Sequence, residues 1–367
     1  MDHNATTPLA MEVYNAMQDW LIPGRVQNAS SVHMEGRAAR DTVEESRESV
    51  AQALGGKTRE IIFTSGATEA NHLAIYGATE ADEHVITTAV EHPSVLAAVE
   101  ARADHSILPV GVDGRVSVAS LADALTEKTR LVSILWGNNE TGVLQDIEAI
   151  GRLCRERNVL LHVDAVQVFG RLPFRVADLP IDMITVSGHK MYGPQGVGAL
   201  WVRTGVSLVP TLSGGHQERG RRAGTENVAA IAGFGAACER LPALLSEQER
   251  IAQLRDRLWG GLAAVDGIQR NGCADAALPN TLNVSFSGVE GEAMLMGLDL
   301  AGVSVSSGSA CTAGSLEPSH VLMAMGLSGQ HARGAVRFSL GTQNTAEEVD
   351  EVISRVLDVV ERMRRAA

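Results

Sequence analysis

Two polar residues that follow apolar runs, Asp164 and Lys190, could do chemistry together. Segment 159–164 is an apolar run that ends in the carboxylate of Asp164, and segment 182–187 is a second apolar run that leads to Lys190. Runs of this kind indicate buried strands, and open α/β sheets carry their chemistry at the carboxyl ends of the strands. A buried carboxylate needs a cationic partner, whereas a lysine at such an edge can form a Schiff base.

These two residue types are the ones that pyridoxal phosphate requires. A carboxylate keeps the pyridine nitrogen protonated, so that the ring can accept electrons, and a lysine carries the aldehyde carbon. Each residue alone also has a simpler interpretation. Lys190 could be a surface lysine before a Gly/Pro-rich turn, and Asp164 could cap a helix.

Three more strand ends supply candidate residues. Thr68 follows the predicted strand 61–65, where free N–H groups and the helix dipole favour an anion such as phosphate, although a plain helix cap explains it as well. His92 follows a strand that begins near His84, and an Asn-Asn-Glu-Thr-Gly segment, 138–142, follows a later strand. We expect His92 at the same edge as Asp164 and Lys190, and a loop histidine and an ordinary turn are the alternatives.

The four cysteines divide into one unusual residue and three ordinary ones. Cys154 and Cys238 lie in helical patterns and Cys273 follows a turn signal, so packing explains all three. Cys311 is flanked on both sides by Ser, Gly and Ala, which suits a thiolate presented to a substrate, with an incidental loop cysteine as the alternative. The wide spacing indicates neither a zinc site nor a disulfide framework.

Composition limits the classes of protein. The chain has 367 residues, which is enough for one large and one smaller domain, and 45% of them are hydrophobic. The net charge of −13 argues against nucleic acid or an anionic membrane surface as a partner. No apolar run approaches the length of a membrane span, and the N-terminus lacks a secretory pattern. We therefore expect a cytoplasmic protein.

The elements that must position these residues alternate between strand and helix up to segment 182–187, which predicts a mostly parallel sheet with helices on both faces. Segment 213–225 is then a long, basic, glycine-rich loop, which is typical of a functional or a disordered segment. An α+β pattern begins at residue 280. The predicted strands are 61–65, 84–89, 106–110, 130–136, 159–164, 182–187, 281–286 and 335–340. The main predicted helices are 9–20, 37–54, 146–157, 227–241, 244–265, 291–300 and 345–365.

With these residues collected, the chain resembles the cysteine desulfurases of the class-V aminotransferase family, in particular the NifS/IscS-like group. The resemblance extends over nearly the whole chain, and its motifs together are highly specific. They are 4–8 (Asn-Ala-Thr-Thr-Pro), 64–69, 91–93, 138–140, 162–167, 187–190 (Ser-Gly-His-Lys), 222–225, 306–312 (Ser-Ser-Gly-Ser-Ala-Cys-Thr) and 337–339.

The resemblance implies an α/β protein with the aspartate aminotransferase-like fold of pyridoxal-phosphate transferases. Residues 9–245 would form a large cofactor-binding domain around a mostly parallel mixed sheet. Residues 1–8 and 246–367 would form a smaller α+β domain that carries the sulfur-acceptor loop. A homodimer is implied as well.

The resemblance also implies a role for each site residue. Lys190 would hold the aldehyde carbon of pyridoxal 5'-phosphate, Asp164 would pair with its ring nitrogen, Gln167 would donate to its phenolic oxygen, and His92 would stack on the ring and move protons. The phosphate would be held by Ala67, Thr68, Ser187 and His189, with Thr225 of the partner subunit. Asn139 would lie beside cofactor and substrate, Arg337 would bind the substrate carboxylate, and Cys311 would accept the sulfur.

The implied reaction converts L-cysteine to L-alanine and leaves a persulfide on Cys311, for iron-sulfur cluster assembly and other sulfur transfer. The partner would be a sulfur-acceptor protein such as an iron-sulfur scaffold, and Cys311 would meet metal only through its persulfide in a transient cluster. Some relatives continue past the last helix with a tail that docks the scaffold, whereas this chain ends at Ala367. The alternatives are a selenocysteine lyase, another class-V enzyme and a non-catalytic sulfur carrier or assembly factor.

Overall fold

A seven-stranded mixed sheet organises the larger part of the chain in the computed structural model, which describes residues 1–307 and 317–366. Its strands are β1 (Ile61–Thr64), β2 (His84–Thr88), β3 (His105–Leu108), β4 (Thr129–Leu135), β5 (Leu160–Asp164), β6 (Met183–Ser187) and β7 (Gly198–Val202). Across the sheet they lie in the order β1-β7-β6-β5-β4-β2-β3. Only β7 runs against the other six, so the predicted mostly parallel mixed sheet is confirmed.

The shared direction of six strands decides where their polar ends meet. Every residue of β1, β2, β6 and β7 is buried, as expected for strands covered by helices on both faces. Because parallel strands end at one edge, the residues after β1, β2, β4, β5 and β6 collect there. That edge holds the candidate site.

Seven helices in the described part of the chain pack around this sheet. They are α1 (Met11–Gln18), α2 (Met34–Leu54), α3 (Ala67–Ala78), α4 (Pro93–Glu100), α5 (Val118–Ala124), α6 (Ile147–Glu156) and α7 (Val228–Glu239). Ten of the twelve residues of α7 are buried, so this helix lies inside the protein, packed against α1 and α2. Gly55 ends α2 in the left-handed region with φ of 72°, which a side chain would strain.

A second, three-stranded antiparallel sheet has its own apolar core. Its strands are β8 (Ile268–Asn271), β9 (Thr281–Phe286) and β10 (Ala335–Ser339), in the order β10-β9-β8. The helices in this part are α8 (Leu241–Ser246), α9 (Gln248–Leu262), α10 (Gly291–Leu300), α11 (His320–Ala324), α12 (Gly329–Arg333) and α13 (Ala346–Ala366). Leu282, Phe338 and Val356 belong to this core.

The N-terminal segment, residues 2–7, joins the two sheets. Asp2 pairs with Ser339 at the end of β10. The side chain of Asn4 donates to the hydroxyl of Thr281 on β9 at 2.8 Å, and the hydroxyl of Thr7 donates to the carbonyl of His189 after β6 at 2.9 Å. This segment therefore lies along the edge where the candidate residues collect.

The basic loop that precedes Thr225 is anchored by a buried ion pair. The carboxylate of Glu218 accepts hydrogen bonds from both terminal nitrogens of Arg47 on α2, at 2.6 and 2.8 Å, and one from the backbone of Phe63 on β1 at 2.9 Å. Glu218 and Arg219 both have positive φ, of 48° and 59°. This anchor holds two non-glycine residues in a conformation that side chains disfavour.

The sequence missed two strands and the two short helices α11 and α12, and it misjudged one longer helix. β7 follows a Gly/Pro-rich turn directly, and β8 has only four residues, of which three are polar, so neither gives a clear periodic signal. The helix predicted over 244–265 is two helices, α8 and α9, which meet at Glu247. The predicted domain division stays a prediction, and its boundary at residue 245 falls inside α8.

No single helix among the described residues is long and apolar enough to cross a membrane. Two consecutive helical segments, α7 and Leu241–Leu262, are together long and apolar enough to do so by length and composition alone. The angle between their axes is 48°.

Candidate active site

A cavity of about 590 Å³ lies at the shared edge of the strands and is bounded by the N-terminal segment. Most of the residues that the sequence singles out line it together. They are Ala67, Thr68, His92, Asn139, Asp164, Gln167, Ser187, His189, Lys190 and Arg337. Thr225 is exposed and lies outside this lining, and Cys311 falls outside the described residues.

Lys190 ends a short 3-10 turn directly after β6. Its Nζ donates to the carbonyl oxygens of Asn4 and Ala5, both at 2.6 Å. The chain has three lysines, and of these Lys190 alone lines the cavity, whereas Lys57 and Lys128 do not. An aldehyde in the cavity therefore has one lysine amine within reach.

Asp164 presents a buried carboxylate, 2% exposed, at the end of β5. One oxygen accepts the backbone N–H of Val166 at 3.0 Å, and the other accepts from the side-chain amide of Asn71 at 2.9 Å. Both donors are neutral, so within the described chain these bonds leave the negative charge without a cationic partner. The contact with Val166 resembles capping, but the residues after it form turns rather than a helix.

His92 caps the N-terminus of α4 through its ring. Its Nδ1 accepts the backbone N–H of Ser94 at 3.1 Å, so the neutral ring carries its proton on Nε2. Burial lowers the pKa of His92, with Lys190 and His320 acting in the same direction and Asp164 against them. A neutral imidazole is therefore the form that lines the cavity at pH 7.

Asn71 links His92 to Asp164 and was not recognised from the sequence. Its side-chain amide on α3 donates to the hydroxyl of Ser94 and to the carboxylate of Asp164, both at 2.9 Å. The residue is fully buried. A signal was available, because Asn71 is an amide on the otherwise apolar buried face of α3.

The start of α3 is open to an anion. Gly66 precedes the helix with φ of 155°, and no side chain of the described residues caps the first turn. Apart from its two chain neighbours, no described residue has an atom within 4 Å of the position that a Cβ on Gly66 would take. The first N–H groups of a helix have no partner inside it, and the helix dipole favours negative charge there. Thr68, in the first turn of the helix, lines the cavity together with Gly66.

Ser187 and His189 reach the cavity from the end of β6. Burial, with help from Lys190 and Arg171, lowers the pKa of His189 to about 4. Its ring is therefore neutral at pH 7 and carries one N–H. Nδ1 lies 3.2 Å from the hydroxyl of Thr6, a residue that the sequence had not marked as part of the site.

In the side-chain amide of Gln167, the nitrogen forms a hydrogen bond within the described chain and the oxygen does not. Its Nε2 donates to the carbonyl of Asn4 at 3.0 Å, and its buried Oε1 has no hydrogen-bond partner in the described chain. An amide nitrogen carries two hydrogens, so Gln167 retains one donor and one acceptor for a ligand.

Arg337 is a buried cation, 1% exposed, in the middle of β10. Nη1 donates to the backbone carbonyl of Asn139 at 2.9 Å, and Nη2 donates to the carboxylate of Asp2 at 2.8 Å. Nε is buried and lacks a partner among the residues that the structure describes. The guanidinium is therefore held in place and still has a donor to offer.

Two buried acids beside the cavity, Glu91 and Glu140, were not among the predicted site residues. Both lie within motifs that carry the family resemblance, 91–93 and 138–140. Burial raises the pKa of Glu91 to about 8, and it accepts the hydroxyl of Thr88 at 2.6 Å. Burial likewise raises the pKa of Glu140, which accepts the hydroxyl of Ser319 at 2.5 Å.

The three cysteines that the structure describes are packed or peripheral. Cys154 in α6 and Cys238 in α7 are buried, and burial raises the pKa of both thiols, that of Cys154 to about 12. Cys273 is half-buried after β8. None of the three lines the cavity, in agreement with their interpretation as non-catalytic residues.

Comparison with known proteins gives the class to which this fold and this site belong. The model of the class-V aminotransferase family matches residues 1–352, and the chain belongs to that family. A cysteine desulfurase IscS from Dictyoglomus turgidum is 42% identical, with 99% of this chain and 95% of that protein aligned. A cysteine desulfurase IscS from Anaeromyxobacter sp. (strain Fw109-5) is 46% identical, over 99% and 93% of the two chains.

Solved structures agree with the fold. A NifS-like protein superposes with a TM-score of 0.92 at 35% identity, over 98% of both chains. A NifS-like protein from Rickettsia africae gives a TM-score of 0.91 at 34% identity, again over 98% of both chains. The predicted resemblance and the predicted fold are confirmed.

Pyridoxal phosphate, the cofactor of this family, fits the residues present. The carboxylate of Asp164, with neutral donors only, suits a protonated ring nitrogen. The uncapped start of α3 suits the phosphate, and Lys190 supplies the amine. These three requirements are met at separate points of one cavity lining.

Proposed function

We propose that this protein is a pyridoxal-phosphate-dependent cysteine desulfurase, which converts L-cysteine to L-alanine and an enzyme-bound persulfide. The observation that carries the proposal is the lining of one cavity by Lys190, Asp164 and Arg337. These are an amine for an aldehyde, a carboxylate for a pyridinium and a guanidinium for an amino-acid carboxylate. The relatives named cysteine desulfurase support the same activity.

The cofactor-binding residues divide by the part of the cofactor that each would hold. When bound, pyridoxal phosphate supplies an electron sink that acidifies the α-carbon of an amino acid. We assign Asp164 to the ring nitrogen, Gln167 to the phenolic oxygen and His92 to the face of the ring. Ala67, Thr68, Ser187 and His189 would hold the phosphate. Asn139 lines the cavity, and its backbone carbonyl accepts from Arg337.

Lys190 has two tasks in this proposal. It would hold the cofactor's aldehyde carbon before substrate arrives, and its amine would then move a proton at the substrate α-carbon. The carbonyl oxygens of Asn4 and Ala5 accept from Nζ, and they would orient that amine between its two tasks. His92, neutral because of its lowered pKa, is a second group that can carry a proton.

The sulfur step is assigned to Cys311 on the basis of its sequence motif. Its thiolate attacks the sulfur of the substrate, an S–S bond forms, and the C–S bond breaks. The carbon keeps the electron pair of the broken bond and takes up a proton, which gives alanine and a persulfide on Cys311. Cys154 and Cys238 are buried with raised thiol pKa values, which supports assigning the step elsewhere.

The substrate carboxylate is assigned to Arg337, with Asn139 beside it. A guanidinium can bind a carboxylate through two parallel hydrogen bonds. The burial of Arg337 strengthens such a pair, because little water competes for either group.

We further propose a homodimer in which Thr225 of the partner subunit completes the phosphate site. Thr225 is exposed and lies outside the cavity of its own chain. Large apolar side chains are exposed in the N-terminal part of the chain and just before the basic loop, which favours a protein interface. They include Leu9, Met11, Tyr14, Leu21, Ile22, Val26, Val32, Met34, Val209 and Leu212. Sedimentation of the purified protein at micromolar concentration should give the mass of two chains, and a stable active monomer would contradict the proposal.

The destination of the sulfur is supported only by the names of relatives. We propose that the persulfide sulfur goes to iron-sulfur cluster assembly through a scaffold-type acceptor, supported by relatives named IscS. Contact of Cys311 with metal, only through its persulfide in a transient cluster, belongs to the same proposal. The division into domains 9–245 and 1–8 with 246–367, and a cytoplasmic location, stay predictions.

The activity is tested by supplying the purified protein with L-cysteine and a thiol reductant, and measuring alanine and released sulfide. Equal amounts of the two products are expected. A response to L-selenocysteine alone would favour a selenocysteine lyase. Absence of any product, with no change in the cofactor absorbance, would favour the non-catalytic alternative.

A further inference from the structure

Asp2 contacts two groups at the end of the cavity where Arg337 lies. One carboxylate oxygen accepts from Nη2 of Arg337 at 2.8 Å, and the other accepts from the hydroxyl of Ser306 at 2.9 Å. The backbones of Ser306 and Arg337 pair with each other, and the backbone of Asp2 pairs with Ser339. Asp2 is therefore held from two sides that do not depend on its ion pair.

The ion pair answers an electrostatic requirement. Arg337 is almost completely buried, and a buried cation is costly unless it is paired. Its bond to Asn139 goes to a neutral carbonyl, so within the described chain the charged contact is the one with Asp2. Without the carboxylate of Asp2, the buried guanidinium would lose this charged contact and could take up a different orientation.

We propose that Asp2 is a positioning residue for substrate binding, because it sets the orientation in which Arg337 meets the substrate carboxylate. This inference rests on the proposed function and adds to it a residue that does not touch the reacting atoms. Asp2 acts through Arg337 and was absent from the site residues that the sequence predicted.

An alternative is that Asp2 occupies the donors of Arg337 that the substrate carboxylate needs, so that the substrate must displace Asp2 in order to bind. Counting donors argues against it. A guanidinium has five N–H donors, and the two bonds to Asp2 and Asn139 leave three, whereas a carboxylate needs two. Substrate and Asp2 can therefore occupy the same guanidinium together.

The test compares two ligands that differ only by the carboxylate, L-alanine and ethylamine. Each is titrated into the cofactor-loaded protein, and the absorbance of the cofactor reports binding. In Asp2→Asn, which keeps the size and the contact with Ser306, we expect the dissociation constant of L-alanine to rise about tenfold. The affinity for ethylamine should stay within about twofold, because ethylamine makes no use of Arg337. Asp2→Glu should recover part of the loss.

A matched control breaks another Asp–Arg pair. Asp350 on α13 and Arg257 on α9 form an exposed pair at 2.6 Å, remote from the cavity lining. Asp350→Asn should leave both affinities unchanged. On an Arg337→Ala background, Asp2→Asn should add nothing further to the loss of L-alanine binding.

Three results would overturn the inference. These are unchanged or tighter L-alanine binding in Asp2→Asn, an equal loss for both ligands, and a full additional loss on the Arg337→Ala background. Should Asp2→Asn fail to fold, the same comparison is made with Asp2→Glu, for which an equal loss for both ligands again contradicts the inference. Alanine production by the wild-type protein from L-cysteine tests the proposed function separately, so the two failures are distinguishable.

Discussion

The two ends of the cavity are built in different ways. At the cofactor end, Asp164 is the last residue of β5, whereas Lys190 and Thr68 come shortly after β6 and β1. The shared direction of these strands brings the three residues together. At the substrate end, Asp2, Asn139 and Arg337 come from three distant parts of the chain and meet through hydrogen bonds. The first end is specified by local patterns and the second by tertiary contacts. Variants at the two ends should therefore fail in different ways.

The largest effect is expected at the cofactor end, for Lys190→Ala. Without the amine that holds the aldehyde and moves the proton, turnover should fall by about 10 000-fold. Reduction of the wild-type protein with borohydride, followed by peptide mapping, should label Lys190. A label on Lys57 or Lys128 would contradict the assignment, and Lys128→Ala is the control that should retain full activity.

Cys311→Ala should separate binding from turnover. All the described residues that line the cavity stay in place in this variant, so L-cysteine should still change the cofactor absorbance. Alanine production should fall by roughly 1000-fold, because the nucleophile for the substrate sulfur is gone. Cys273→Ala is the matched control, and near wild-type turnover in Cys311→Ala would mean that Cys311 is an incidental loop cysteine.

Arg337→Lys should give the failure typical of the substrate end. Lysine keeps the charge but loses the planar fork that binds a carboxylate through two bonds. We expect kcat/KM for L-cysteine to fall by about 100-fold while the protein keeps its cofactor and its absorbance spectrum. Loss of the cofactor in this variant would break the distinction between the two ends.

The smallest expected effect concerns His162, which lies inside β5 two residues before Asp164. Burial lowers the pKa of His162 to about 3, and its ring nitrogens lie 2.8 Å from the hydroxyl of Ser133 and 2.9 Å from that of Thr185. In the unfolded chain the pKa is about 6.5, so between these values the unfolded state binds more protons. This group's contribution to stability is therefore complete above pH 6.5 and declines as the pH falls, by about 1.4 kcal/mol for each pH unit.

Urea unfolding at pH 7.5, 6.5 and 5.5 measures this decline. His162→Gln should be less stable at pH 7.5 but should lose less stability on acidification than the wild type does. The exposed His105→Gln should keep the wild-type slope, and an unchanged slope in His162→Gln would contradict the assignment of acid sensitivity to this residue.

The sequence predicted the cofactor end better than the substrate end for a physical reason. Apolar runs that end in polar residues identify strand ends, so the positions of Asp164, Lys190 and His92 follow from local pattern and sheet direction. The contacts of Asp2 and Asn71 do not, because each depends on a partner far along the chain. Asp2 and Arg337 are 335 positions apart, and no local rule connects them.

The same limit explains the missed elements of the fold. β7 is recognisable by its pairing with β1 and β6 rather than by periodicity, since it follows directly on a turn. β8 is short and mostly polar, and its pairing with β9 defines it. The resemblance to the family supplied the overall architecture, but it did not supply the partners of individual side chains.

The placement of the N-terminal segment has a consequence for folding. The backbone N–H of Asn4 donates to the hydroxyl of Ser339, 335 positions later, and the carbonyl of Asn4 accepts from Lys190. Contacts of such sequence separation close long loops of chain, and folds that depend on them form slowly. We therefore expect the cavity wall beside Lys190 to be completed in a slow step of folding, when residues 2–7 reach both sheets.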